Sequence, residues 1–310
     1  MKLRLVRSTW LAEGVVGLDF SAPGQAAELP AWSPGAHLTL RLAGGLSRDY
    51  SLCGDPADRS RYTVAVQRDP ESRGGSTHVH DRLRVGEVIE ADGPRNNFAL
   101  VAAPSYVLVA GGIGITPVRA MARELDRRGA DWRLLYCGRS RDRMAFAAEL
   151  AAAHGDRVTL HADDEAGGPA DLATYLEPAP AGALVYCCGP EPMLAAAAAA
   201  VADPALLRTE RFRAAATPAG GAAEAGFEVA CSAGRFPVRP GTSVLRTLLD
   251  AGLDVPYSCE EGICGSCETG VLSGTPDHRD SLLSAEEKAA GQTMLLCVSR
   301  CRTPELVLDL

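Results

Sequence analysis

No stretch of the sequence approaches the roughly 20 consecutive apolar residues that cross a bilayer. The opening segment, MKLRLVRSTWLAEG, is basic but has neither the apolar run nor the cleavage-type site of a secretory leader. These absences predict a cytoplasmic protein with no membrane partner. Positive charge is also short: 31 Lys and Arg stand against 39 Asp and Glu, a net −8, which argues against nucleic acid as a partner. Aromatics are scarce at 5%. Cysteine is not scarce. Ten thiols in a reducing compartment read as ligands or buried groups rather than disulfides.

The negative charge is unevenly spread. Residues 226–310 hold 12 acidic and 7 basic side chains. That balance serves solubility, and it also predicts an acidic face able to attract a basic partner protein.

A chain of 310 residues is long for one core and suits two or three domains. Residues 1–102 contain short β segments (GVVGLDF, HLTLRLA, DYSLCG, YTVAVQR, EVIEADGP) separated by turn formers, which predicts an antiparallel barrel. Residues 103–212 change character. An apolar strand at Tyr106–Ala110 runs through a glycine turn into a helix with Val118, Met121, Ala122 and Leu125 on one face. A second strand at Trp132–Tyr136 follows, and later strands at RVTLHAD and ALVYCCGP complete the pattern of a parallel α/β sheet. Residues 213–226, RAAATPAGGAAEAG, read as a linker. Residues 227–310 read as a small third domain. It comprises a hairpin, the short helix TSVLRTLLDAG, a cysteine loop, MLLCVSRC as a strand, and the final strand ELVLDL.

The cysteine loop carries the strongest signal. Cys259, Cys264 and Cys267 are spaced C-x4-C-x2-C, and Cys297 follows after 29 intervening residues. This is the ligand pattern of a plant-type [2Fe–2S] cluster. A structural zinc site with four cysteines would normally present two short C-x2-C knuckles, and only one is present. Gly262, Gly265 and Gly270 allow the loop to bring backbone N–H groups close to sulfur. Cys301 is an alternative fourth thiol, less well placed by spacing.

Two turns in the α/β region suit a dinucleotide. GGIGITP (Gly111, Gly112, Gly114, Thr116, Pro117) opens a helix at the end of a strand. Cys188, Gly189 and Pro190 form a second such turn, so the two would be lips of one crevice. In the barrel, Arg48 and Arg73 can each grip a phosphate. Gly74, Gly75, Ser76 and Thr77 add donors, and Tyr50 offers a flat face to an aromatic ring. Together they describe a site for a phosphorylated aromatic cofactor.

With these motifs in order, the chain resembles the phthalate dioxygenase reductase family, which includes vanillate demethylase reductases, within the ferredoxin–NADP reductase superfamily. The resemblance covers essentially the whole chain. It implies a flavin barrel, a nucleotide domain and a β-grasp-like ferredoxin domain, with FMN (rather than FAD), NADH and a [2Fe–2S] cluster as cofactors. In RDYS, Arg48 would bind the flavin phosphate, and Tyr50 and Ser51 would contact the ring system. The backbone of Ala65, Val66 and Gln67 would border the flavin. Arg73, Gly74, Gly75, Ser76 and Thr77 would form the phosphate loop. Thr116 would approach the flavin, with Gly111, Gly112, Gly114 and Pro117 lining the pyridine nucleotide site. Cys188, Gly189 and Pro190 would lie near the nicotinamide, and Phe212 of TERF would stack on the flavin.

Arg139 and Arg141 are candidates to grip a 2′-phosphate, against an NADH preference implied by the family. The function implied is hydride uptake from NADH and single-electron delivery to a terminal oxygenase of Rieske type, by a monomeric protein. No catalytic acid or base is required. The alternatives are an electron donor to a cytochrome P450 or other acceptor, and a self-contained flavin oxidoreductase.

Overall fold

The computed structural model describes residues 1–24, 28–177, 179–213 and 225–310, so the expected linker lies almost wholly outside the described residues. The chain forms two compact units, Met1–Arg211 and Phe212–Leu310.

The first unit begins with six antiparallel strands: β1 (Lys2–Ala12), β2 (Val15–Ser21), β3 (Ala36–Leu42), β4 (Leu46–Ser51), β5 (Tyr62–Gln67) and β6 (Val88–Asn96), with helix α1 (Gly75–Asp81) before β6. Their order in the sheet is β4-β3-β6-β1-β2-β5. Leu52 bridges Val64, and the Cys53 N–H donates to the Thr63 carbonyl at 2.9 Å, so the two edges meet and the sheet closes. Closure removes the exposed edges that would otherwise invite pairing with another chain. Leu3, Leu5, Phe20, Leu38, Leu40, Tyr62 and Val64 fill the interior. Strand β1, which places Leu3 and Leu5 in that core, is absent from the segments expected from sequence.

The remainder of this unit is a parallel sheet. Strand β7 (Ser105–Gly111) leads to α2 (Ile115–Arg127) and β8 (Asp131–Gly138). Next come α3 (Ala147–His154), β9 (Val158–Ala162), α4 (Asp163–Ala166) and α5 (Leu172–Leu176), then β10 (Leu184–Cys188), α6 (Glu191–Ala200) and β11 (Leu207–Glu210). The strand order is β11-β10-β7-β8-β9, all parallel. The chain therefore leaves β7 in one direction across the sheet and returns on its other side at β10. Such a switch point opens a crevice at the C-terminal strand ends, where α/β sheets bind ligands. The helix face expected from sequence is confirmed: Val118, Met121, Ala122 and Leu125 are each fully buried.

The second unit contains β12 (Phe227–Cys231), β13 (Gly234–Val238), α7 (Val244–Asp250), β14 (Glu268–Ser273), β15 (Pro276–Asp277), α8 (Ala285–Ala290), β16 (Thr293–Leu295), β17 (Arg300–Cys301) and β18 (Glu305–Leu308). Five of its strands form one mixed sheet, ordered β13-β12-β18-β14-β16. Helix α7 starts where the Ser243 hydroxyl accepts from the Arg246 N–H at 3.1 Å, a side-chain N-cap. It buries Val244, Leu245 and Leu248 with Val229, Val238 and Leu306. One expectation needs correction. MLLCVSRC is not a single strand: β16 ends at Leu295, and Cys297 sits in a turn closed by the Ser299 N–H on the Leu295 carbonyl at 3.1 Å. An extended strand would alternate its side chains to opposite faces, whereas the turn redirects the thiol.

The segment joining barrel to parallel sheet is held by two phenols, Tyr106 on Val101 and Ala103 and Tyr186 on Ala99 and Val101. The Tyr186 hydroxyl donates to the Ala99 carbonyl and accepts from the Val101 N–H, both at 2.9 Å. Tyr186→Phe leaves two backbone groups without this partner. A loss of about 1–3 kcal/mol of stability is expected in denaturant titration, with the flavin and cluster spectra unchanged.

Candidate electron-transfer sites

At the switch point, the turns after β7 and β10 lie in backbone contact. A β-carbon on Gly114 would stand 2.1 Å from the Cys188 carbonyl oxygen, and one on Gly111 would stand 2.7 Å from the Pro190 ring. The turn after β7 therefore requires glycine at both positions, and the sequence-predicted lips, Gly111–Pro117 and Cys188–Pro190, are brought together. Thr116 is buried and donates its hydroxyl to the Ile113 carbonyl at 2.9 Å. Gly112, at φ +55°, lies near the Gln67 side chain of the barrel, so this edge faces β5.

Ser51, at the end of β4, donates its hydroxyl to Glu210 Oε2 at 3.5 Å. The Cys188 thiol donates to the same oxygen at 3.9 Å. Burial pushes Glu210 up to about 8 and holds Cys188 well above the usual thiol range. Both groups are therefore neutral hydrogen-bonding groups at neutral pH. Glu210 of TERF is not among the residues expected from the sequence. A usable signal was its place at the C-terminal end of a strand in the same parallel sheet. Phe212 is 38% exposed, and Arg139 is exposed at the surface.

In the barrel, Arg48 lies across Gly75, where a β-carbon would be 2.6 Å from the Arg48 Cγ. Its guanidinium donates to the Ser47 and Arg73 carbonyls at 2.7 and 3.0 Å. Gly74 adopts φ +94°, and the Ser76 hydroxyl accepts from the Asp69 N–H at 3.1 Å. Arg48, Arg73, Gly74, Gly75, Ser76 and Thr77 thus share one corner, with a guanidinium and loop N–H groups suited to a phosphate. Tyr50 is half-buried, Ser51 buried, and Ala65 and Val66 lie in β5 beside exposed Gln67. The residue types and placement fit FMN. Two surface hollows, one lined by Ser21, Gly24, Glu28 and Arg59 and the other by Arg133, His161, Asp171 and Tyr175, include none of these residues.

In the second unit the four predicted cysteines are buried, Cys259 and Cys297 at 8% exposure, Cys264 at 6% and Cys267 at 3%. Their thiols interact pairwise, Cys259 with Cys264 and Cys297, and Cys267 with Cys297. The hydrogen bonds from these partners lower Cys259 and Cys267, and the same contacts raise Cys297. Among the described residues no three His, Cys, Asp or Glu side chains converge as ligands of a single ion. Backbone N–H groups of Glu261 and Ser266 point at Cys259 Sγ and Cys264 Sγ, at 3.3 and 3.4 Å. Such donors favour sulfur's negative charge. The donor set fits a [2Fe–2S] cluster. Cys301 does not join it; its thiol bonds the Thr275 carbonyl and Thr303.

These features define an NAD-binding oxidoreductase with an iron–sulfur domain. Residues 108–199 match the oxidoreductase NAD-binding domain model, and residues 227–302 match the 2Fe-2S iron-sulfur cluster binding domain. The chain is 48% identical to phenoxybenzoate dioxygenase subunit beta of Ectopseudomonas oleovorans, over 100% of this chain and 97% of that protein. It is 37% identical to phthalate dioxygenase reductase of Burkholderia cepacia, over 100% and 97%. A solved phthalate dioxygenase reductase superposes with a TM-score of 0.75 over 100% of this chain and 98% of that one. An intact type IV self-sufficient cytochrome P450 monooxygenase superposes with a TM-score of 0.90 at 41% identity, and there the chain spans only 41% of the longer protein. The chain belongs to the phthalate dioxygenase reductase family.

Three substitutions test these sites. At Gly262, φ is +71° and a β-carbon would be 2.6 Å from Val298 Cγ2 and 3.1 Å from the Asp280 α-carbon, so Gly262→Ala is expected to lose cluster content by iron assay. Glu260, at φ +56°, holds a conformation natural to glycine, so Glu260→Gly should retain the cluster. Glu210 has a folded pKa raised from 4.5, so its contribution to stability is complete below about 4.5 and is lost as pH rises through about 8. Glu210→Gln should remove that loss from a plot of unfolding free energy against pH.

Proposed function

We propose that the chain takes a hydride from NADH onto FMN and passes single electrons through a [2Fe–2S] cluster to a terminal oxygenase. The observation that carries this reading is the coexistence of a switch-point crevice facing the barrel and a buried four-cysteine set. FMN supplies the conversion between a two-electron donor and a one-electron carrier. The chain's own residues do the positioning. Gly111–Pro117 and Cys188–Pro190 would hold the nucleotide, Arg48 and the Arg73–Thr77 loop the flavin phosphate, and Tyr50, Ser51, Ala65, Val66 and Gln67 the ring. Phe212 would cover the flavin until nicotinamide displaces it. Cys259, Cys264, Cys267 and Cys297 would be the cluster ligands.

The domain division follows the same reading: a flavin barrel over 1–102, a nucleotide domain over 103–212, a linker over 213–226 and a ferredoxin domain over 227–310. No helix among the described residues is long and apolar enough to cross a membrane. We place the protein in the cytoplasm as a monomer. The reductases of oxygenase systems among its relatives support an oxygenase acceptor. A cytochrome P450 is the second reading, favoured by the 0.90 TM-score to a self-sufficient P450.

NADH is the expected donor. Arg141 is engaged by Glu165 at 3.0 Å, and Asp163, Asp164 and Glu165 stand together after β9, where they would oppose a 2′-phosphate. A kcat/KM at least about tenfold higher for NADH than NADPH is expected, equivalent to about 1.4 kcal/mol of discrimination. Equal values would exclude this assignment. Cys264→Ser is expected to abolish cytochrome c reduction yet leave flavin bleaching by NADH intact in stopped flow. Loss of both would contradict the division of labour.

A further inference from the structure

Arg119 lies one helical turn beyond Thr116 on α2 and is 7% exposed. A buried guanidinium is unfavourable unless its charge and its five N–H groups are answered. Here the charge is paired and four of the five N–H groups have acceptors. Nε donates to Glu149 Oε1 at 3.2 Å, and Nη2 donates to both Glu149 oxygens at 2.7 and 2.9 Å. The Phe146 ring lies 4.3 Å from its Cζ. Those contacts are internal to the parallel-sheet half. The last one is not: Nη1 donates to the Cys53 carbonyl in the barrel.

Cys53 follows Ser51 by two residues, and its own N–H closes the barrel against Thr63. A single side chain therefore links the helix that begins at the nucleotide turn to the strand end that carries Tyr50 and Ser51. The seam around it is built of small groups. Ala12, Val15, Cys53, Ala65 and Ala145 pack there, with Phe146 against them. Small apolar side chains resist separation but give little resistance to sliding, because dispersion contacts are individually weak and non-directional. Directional contacts must set the register. Among them are the Glu13 N–H on the Asp142 carbonyl at 2.8 Å, the Ser51 hydroxyl on Glu210 and Arg119 on Cys53. Phe146 holds φ +63°, a left-handed conformation that persists in a bulky residue only where its surroundings enforce it. Here the ring it presents stacks on the Arg119 guanidinium.

We propose that Arg119 is a positioning residue for hydride transfer, fixing the nucleotide turn against the flavin-contacting strand through the Cys53 carbonyl. This rests on the reading that the barrel holds FMN. The step it positions moves one hydride, two electrons with their proton, from NADH to the flavin; Arg119 itself exchanges neither electron nor proton. Hydride transfer is steeply sensitive to donor–acceptor distance, so a small slip at the seam is felt in rate before it is felt in binding.

The test uses the full-length, FMN- and cluster-loaded protein. Arg119→Lys keeps a positive charge but cannot bridge Glu149 and Cys53 with a planar fork. The limiting rate of flavin bleaching is expected to fall about 10- to 100-fold, with the NADH dissociation constant changed less than about twofold. The deuterium isotope effect from 4-deuterated NADH should become more temperature-dependent, a signature that mere loss of stability would not produce. A wild-type limiting rate and isotope effect in Arg119→Lys would overturn the proposal, whatever its melting temperature. If that variant does not fold, Glu149→Gln decides. It loosens the anchor while leaving the Cys53 contact, and an unchanged hydride-transfer rate there overturns the proposal, whereas a drop of about threefold or more supports it. Wild-type protein that binds no FMN would instead refute the flavin reading itself.

Discussion

The space between Gly114 and the Cys188 carbonyl, too small for a single methyl group, is the constraint on which the nucleotide-binding half depends. Two parallel strands that diverge in connectivity can carry loops of any length, but here both loops are pressed into backbone contact. That contact brings Cys188 and Glu210 to the edge where Ser51 arrives from the barrel. A carboxylic acid held neutral between a hydroxyl and a thiol is a polar lining without net charge. Such a lining would suit the proposed nicotinamide site, where a reduced ring is accepted and a positively charged one released.

The second unit meets a different demand. Sulfur ligands must be gathered from a loop and from a distant turn, then kept dry and supplied with N–H donors. Glycines at positive φ allow the loop to fold tightly, and the turn after β16 delivers the fourth thiol. Glu260 shares that backbone conformation without being glycine, and its carboxylate adds to the acidic character of this unit. Outward-facing negative charge beside an electron exit favours encounter with a basic acceptor and weakens as salt rises.

Much of this was legible in the sequence because the decisive signals are local. The C-x4-C-x2-C spacing marks three proposed ligands, and a glycine turn between an apolar strand and an amphipathic helix marks a βαβ unit. What escaped was set by distant partners. Strand β1 alternates Leu3 and Leu5 inward, yet its outer face carries Val6 and Trp10, both exposed, so the period-two pattern is blurred. The turn at Cys297 sits in an apolar run that reads equally well as strand. Glu210 looks like an ordinary surface carboxylate until Ser51, 159 residues earlier, is brought against it. Arg119 carries no signal of its own on the helix, because the groups that surround it, Glu149, Phe146 and the Cys53 carbonyl, are distant in sequence.

Six of the ten cysteines lie outside the proposed cluster set, and four of these, Cys53, Cys137, Cys187 and Cys188, are buried. Burial pushes Cys53 up to about 11 and Cys137 and Cys187 up to about 12, so these sulfurs remain protonated. The thiolate is the form that peroxide attacks. A protein that handles low-potential electrons in air generates such oxidants at its own surface. Its spare sulfur is therefore chemically quiet where damage would reach the core, and only Cys231 and Cys301, partly exposed, are open to it. The same burial that packs the sheets also keeps these thiols protonated.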